Sequence, residues 1–288
     1  VRLDRSAAAA ALLFFIAAGP LAAQGRGRGL GHTKDHSAPP DPTIPGTGIR
    51  QFGIWLDDAT LSPSGQGWVT FGIGYSEAPF GHQWDVPSMD AGMGIAPRVQ
   101  LAISAPVSKV SYTDGTSAHG LGDVYLAVKL GLLDPAAEGR SFGLAVAPVV
   151  ELLSSGSVPE GRGRLQWALP VAMEKRFEGF RVYGSLGYFS RGAMFGSAAL
   201  EVPVTARVTA TATLSHSRSL EDDPLSDELE LAPSRWDVSG GAAYFFSPRA
   251  TFFASVGRTI SSLDANGTSL SVAAGVSLGF QHRLSGRP

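Results

Sequence analysis

His216 is followed by Ser217, Arg218 and Ser219, which sets a potential general base beside two hydroxyls. Held within hydrogen-bond reach, such a pair can attack an ester, and His119 is a second histidine of that kind. The two-residue periodicity set out below points His216 toward an apolar face, where it reads as a strand-end histidine at headgroup level, so no catalytic residue is assigned. His32 and His36 stand four apart, a spacing that serves a metal only on a helix, and their Gly- and Pro-rich surroundings do not support one. Glu221, Asp222, Asp223, Asp227, Glu228 and Glu230 crowd one stretch but lack the Asp order and glycine of a calcium loop, and read as a solvated loop. The run Gly27-Arg-Gly-Leu-Gly31 follows no strand, so it cradles no phosphate. Walker, Gly-x-Ser-x-Gly and His-Glu-x-x-His motifs are missing. Cysteine is absent, which excludes disulfides, thiolate metal sites, a cysteine nucleophile and a lipid-modified N-terminal cysteine. The expectation is a protein that is not an enzyme and uses no metal or cofactor.

Composition narrows the partners. With 23 Lys+Arg against 25 Asp+Glu the formal charge is −2, which excludes a partner recognised through many phosphates, and so nucleic acid. Charged residues make up 17% of the chain, below the usual ~25%, while Gly reaches 36. This mixture suits a backbone that meets lipid on one side and water on the other.

The elements that would position any chemistry are strands. In 123–132, Val124, Leu126, Val128, Leu130 and Leu132 share one face, and Asp123, Tyr125, Ala127, Lys129 and Gly131 share the other. The split recurs: Val69, Phe71, Ile73 and Tyr75 oppose Trp68, Thr70, Gly72 and Gly74, and Val272, Ala274, Val276, Leu278 and Phe280 oppose Ser271, Gly275, Ser277 and Gly279. Residues 93–104 read the same way as one strand. A soluble sandwich also alternates. Here the polar face mixes Gly, Ser, Thr and Ala with charges of both signs, as a crowded barrel lumen does. The residues expected to line that lumen are Arg98, Asp123, Lys129, Glu151, Glu174, Arg181, Glu201, Arg207 and Asp237. Their mixed signs imply either a pore of weak charge selectivity or salt bridges that close it.

Connections alternate in length. Short ones lie near Asp134–Arg140, Phe177–Gly179, Pro203–Ala206 and Ser247–Pro248, and longer ones near Pro106–Gly120, Ser154–Gly163, His216–Arg235 and Ser261–Thr268. Trp68, Tyr75, Trp167, Tyr188, Trp236, Tyr244 and Phe252 fall toward strand ends, as interfacial girdles would. Strand starts near 49, 68, 92, 122, 141, 164, 180, 193, 207, 236, 250 and 270 give an all-β, antiparallel up-and-down transmembrane barrel of about 12 strands, with ten as the competing count. An even count returns both termini to the periplasm. Arg218 and Arg258 continue outward faces near the extracellular end. They are expected to meet lipopolysaccharide phosphates in the outer leaflet, with solvent exposure as the alternative.

The N-terminus has the layout of an export signal: Arg2 and Arg5, the apolar run Ala7–Ala18, then Gly19-Pro-Leu-Ala-Ala-Gln24. The expected segments are a signal peptide 1–23, with cleavage after Ala23 or Gly25, a flexible leader 24–47, the barrel 48–280 and a tail 281–288. The initial Val fits a bacterial non-AUG start.

Gly120-Leu-Gly-Asp-Val-Tyr-Leu-Ala-Val-Lys-Leu-Gly-Leu-Leu133, with the turns Val204-Thr-Ala-Arg-Val208 and Ser247-Pro-Arg-Ala-Thr251, resembles a family of outer-membrane transporters labelled with the phenol-degradation (meta-cleavage) pathway. The resemblance spans about residues 90–280 and implies a barrel that passes small, apolar or aromatic, organic molecules. Phe280, ending the last strand, resembles the signal read by the barrel-assembly machinery, although a tail follows it. The expected function is an outer-membrane transporter or channel, with lipid, lipopolysaccharide and that machinery as partners. A structural or adhesive barrel and a barrel lipid hydrolase are the alternatives.

Overall fold

A computed structural model describes residues 20–21, 51–52, 57–133, 141–153, 164–190, 192–220, 232–261, 263–264 and 267–281. The proposed signal and leader (apart from Pro20–Leu21), residues 282–288 of the tail, the Gly27–Gly31 run, His32, His36 and the acidic residues Glu221–Glu230 lie outside the described residues, as do connections 134–140 and 154–163.

Two short strands, β1 (Pro20–Leu21) and β2 (Gln51–Phe52), pair with each other. The remaining strands are β3 (Gln66–Ala78), β4 (Gly81–Ala96), β5 (Val99–Tyr112), β6 (Ser117–Leu121), β7 (Val124–Leu133), β8 (Phe142–Val146), β9 (Val149–Leu152), β10 (Leu165–Phe177), β11 (Phe180–Phe189), β12 (Ala193–Pro203), β13 (Val208–Ser219), β14 (Ser234–Ser247), β15 (Ala250–Thr259) and β16 (Leu270–Gln281). They form one 14-stranded antiparallel sheet, closed where β16 pairs with β3 from Leu270↔Glu77 to Gln281↔Gln66. β6 and β7 are two pieces of one stave along β5, and β8 and β9 are two pieces of one stave along β10. The wall therefore has twelve staves, as the periodicity predicts. Backbone bonding continues across both breaks: Gly122 N donates to Pro106 O at 2.8 Å and Ala147 N donates to Pro170 O at 3.0 Å.

The route to twelve differs from the expected one. The strand expected near residue 49 is not a stave, and 92–104 is a hairpin between β4 and β5. The turn itself pairs Ala96 with Val99, of opposite parity, but a bulge between Gly94 and Ala96 restores equal parity from Gly94↔Gln100 onward and so hides the hairpin in the pattern. Pro97 presets the first turn position and Arg98 takes φ 65° at the second. The long connection expected at 106–120 is instead strand on both sides of an Asp114-Gly115 turn. There Thr116 donates to Asp114 Oδ1 from its hydroxyl at 2.6 Å and its amide at 2.8 Å, and this holds the Asp114 carboxyl below its usual range.

Burial is inverted relative to a soluble sandwich. Leu, Ile, Val and Phe on the outward face stay exposed, while the buried positions hold mainly Ser, Thr, Asp, Glu and small residues. Aromatic pairs mark both ends of the wall: Tyr75–Trp84 and Trp167–Tyr188 at one, Phe177–Phe180 and Tyr244–Phe246 at the other. Trp68 is not a girdle residue. It is 1% exposed and lies inside, over Gly92, where any Cβ would collide with its ring.

Ile73, mid-strand in β3 and 53% exposed, distinguishes the two environments. Ile73→Arg is expected to cost ~2–4 kcal/mol if the outward face meets lipid and to be near neutral if it meets water. The readout is the yield of the heat-modifiable folded form, and an unchanged yield excludes lipid contact there.

Candidate functional site

The chain enters the barrel through residues 57–65, which run inside the wall before β3 begins. This strap lies toward the end that carries the two-residue turns. Gly65 N donates to Gly94 O at 2.7 Å, and Ser62 N donates to the Gln100 side-chain oxygen at 2.8 Å. Leu61, 3% exposed, packs where Gly131 leaves room on β7.

Charge holds the rest of it. Lys129 Nζ lies 2.9 Å from Asp57 Oδ1 and 3.2 Å from Asp58 Oδ1. Arg181 donates to Asp58 Oδ2 at 2.9 Å, and its Nε and second terminal nitrogen each donate to Glu201 at 2.8 Å. Thr60 donates to Glu174 Oε2 at 2.6 Å while accepting from Arg176 at 2.8 Å, and Arg176 Nε donates to Glu174 Oε1 at 2.5 Å. The Arg181 guanidinium also stacks 4.5 Å from the Tyr183 ring centre. Buried ions repay their desolvation only when hydrogen-bonded throughout. Strap and wall therefore need each other: without Asp58, two buried cations lose a shared carboxylate.

Lys129, Glu174, Arg181 and Glu201 thus meet in one network. Glu151 accepts from Tyr125 Oη at 2.8 Å, and Asp237 accepts from Arg235 at 2.9 Å and Thr259 at 2.7 Å. Asp123 is buried at the β6–β7 break. With Asp85, these carboxylates lie toward the opposite end of the lumen from the strap, and Asp90 is buried near mid-strand in β4. Arg98 and Arg207 do not join them. Both sit in turns and are exposed, Arg98 donating to Leu132 O at 3.3 Å, because the alternation that assigned them was carried past the strand ends. Arg218 and Arg258 are exposed on the outward face, each the second-last residue of its strand.

Sequence reasoning missed Asp57, Asp58, Thr60, Arg176 and Tyr183. The available signal was two adjacent carboxylates outside any alternating run, in a chain whose lumen positions include basic residues in need of partners.

Gly94 offers a steric test. A Cβ there would land on the Ser62 and Pro63 carbonyl oxygens, which are strap backbone and cannot rotate away. Gly94→Ala is expected to displace the strap without altering a charge, read as proteolytic cleavage within residues 57–65 several-fold faster than in wild type. Wild-type cleavage in that variant would mean the strap does not seat against Gly94.

No family model and no curated protein matches the chain. Among solved structures, an outer-membrane channel from Pseudomonas putida F1 is similar at TM-score 0.56 and 14% identity, over 77% of this chain and 98% of that one. A KdgM porin in complex with disordered oligogalacturonate is similar at TM-score 0.50 and 9% identity, over 74% and 99% respectively. These likenesses show a shared outer-membrane-barrel fold. LpxR from Salmonella typhimurium also matches, at TM-score 0.44 and 7% identity, too slight to bear on chemistry.

Proposed function

We propose that this chain is a channel or transporter of the bacterial outer membrane for small organic molecules, closed at rest by its own strap. The observation that carries the reading is the strap itself. A continuous wall encloses a lumen, and one short segment, held largely by side-chain ion pairs, lies inside the turn-bearing end of it. A barrel that only anchors or adheres gains nothing from an insert of this kind. Outward apolar residues and aromatic pairs at both ends support the membrane placement. The buried rings of Trp68, Tyr125, Phe195 and Phe253 face inward among hydroxyls and carboxylates, which favours solutes with an aromatic or apolar part. That agrees with the small apolar or aromatic molecules implied by the family resemblance. Among the described residues no hydrogen bond joins His216 to a serine; its ring packs on Trp236 instead, so hydrolysis is not part of the proposal.

Two measurements test this. Membrane fractionation with heat-modifiable gel mobility should recover an SDS-resistant form in the outer membrane. Liposomes carrying the full chain should swell with phenylalanine faster than with a sugar of similar size, and faster still with the Gly94→Ala chain. No swelling by either protein would leave a barrel without transport.

A further inference from the structure

The outer wall carries a second feature, separate from the lumen. On the outward faces of β11 and β12, Gly184, Gly196 and Ala198 stand among larger residues, and the missing side chains leave a groove of about 530 Å³. Met173, Leu186 and Leu214 wall it. At its far end His216 packs on Trp236 with ring centres 4.4 Å apart. Gly184 is required by the backbone, since a Cβ would strike the Ser197 carbonyl oxygen. Gly196 is not: a Cβ there meets only Leu186 Cδ1 at 3.4 Å and Ser185 O at 3.9 Å, so its openness serves the groove.

Two arginines flank Trp236 at that same end, on either side of β14. His216 lies opposite Trp236 in the sheet, Arg218 opposite Ser234, and Arg258 opposite Val238, which puts both arginines on diagonals of Trp236. Both are exposed; Arg258 Nε donates to the Thr259 carbonyl oxygen at 3.3 Å, and among the described residues neither arginine is paired with a carboxylate. A cation on the outward face is cheap only near the interface, at ~0–1 kcal/mol, and both stand near strand ends. Two arginines beside an apolar groove complement a molecule with an anionic head and a hydrocarbon tail.

We propose that this surface binds a phosphate-bearing lipid of the outer leaflet, its phosphate groups at Arg218 and Arg258 and one acyl chain along the Gly184–Gly196 groove. The inference rests on the outer-membrane placement proposed above. Trp236 marks the boundary between the two parts of the ligand, as amphipathic aromatic rings do at membrane interfaces.

The test is native mass spectrometry of the full chain in detergent with added lipid A. Wild type should retain one lipid A. Arg218→Gln with Arg258→Gln should weaken retention about tenfold by removing the phosphate contacts. Gly196→Leu should do the same by filling the groove. Dephosphorylated lipid A should bind the wild type as weakly as lipid A binds the double variant. Because the arginine changes lie on the surface, they remain informative if Gly196→Leu disturbs assembly, which heat-modifiable mobility reports. Undiminished retention by the folded double variant, or equal binding of dephosphorylated lipid A, overturns the site. Fractionation separates this from the placement: a chain outside the outer membrane that still selects lipid A refutes the placement and supports the site. A chain in the outer membrane that shows no such selectivity overturns the site alone.

Discussion

Asp58→Ala is expected to open the lumen, seen in planar bilayers as a rise of at least tenfold in the fraction of time the full chain conducts. Asp58 is 0% exposed and is the one strap residue whose carboxylate meets both Lys129 and Arg181. Removing one partner of a buried ion pair leaves the other without compensation, a loss of ~3–5 kcal/mol. Lys129 keeps Asp57 at 2.9 Å and Arg181 keeps Glu201, so the effect belongs at the low end. Even ~1.4 kcal/mol is tenfold in a closed-to-open ratio. Asp58→Asn preserves shape and some hydrogen bonding and should fall between the two. Because the pairs are buried, salt should change the size of each conductance step more than the fraction of time open. An Asp58→Ala chain that stays shut as long as wild type would show that charge does not hold the strap.

Arg181→Met should strike the wall as well as the strap. Arg181 and Glu201 are direct cross-strand partners on β11 and β12, joined by two 2.8 Å bonds, and Arg181 also reaches Asp58 at 2.9 Å and Glu174 at 3.5 Å. Without it three buried carboxylates share fewer cations. The expected result is a loss of ~3–5 kcal/mol, read as a lower temperature for conversion of the folded gel band. Arg181→Lys should not restore it, since a single ammonium cannot hold Glu201 in a fork and reach Asp58 together. Adding Glu201→Gln to Arg181→Met should recover part of the loss, and the size of that recovery measures the pair. If Arg181→Met converts at the wild-type temperature, the network is not what holds these strands.

The two variants also separate what each charge does. Asp58→Ala leaves the β11–β12 pair intact, so it should alter gating more than barrel stability. Arg181→Met should alter both.

Much of this molecule was readable before its structure. Lys129, Glu151, Glu174, Arg181 and Glu201 have the parity of buried positions, and Leu126, Leu169 and Val276 the parity of exposed ones. Period two needs no knowledge of the partner strand, because successive side chains leave a strand on opposite faces. The errors sit where parity carries no information. The bulge between Gly94 and Ala96 cancels the parity change of the Pro97-Arg98 turn, so one hairpin reads as one strand. It also extends past strand ends to Arg98 and Arg207, whose exposed positions in turns answer to backbone geometry instead. Trp68 has inward parity, but its aromatic character suggested a membrane interface until the space over Gly92 accounted for it.

The low charge and high glycine of the chain and the alternation of its strands decided the class of fold, since both follow from local chemistry repeated along the backbone. Those same features say nothing about residues 57–65, which form no strand and obey no period. Asp58 meets Lys129 and Arg181 across 71 and 123 positions of sequence. Arg218 and Arg258 share a diagonal neighbour only because β14 lies between their strands. The chain alone determined that charges face inward and apolar groups outward. Closure of the sheet decided which charges meet, because contact between distant residues depends on stave order and register, and these exist only once β16 has paired with β3.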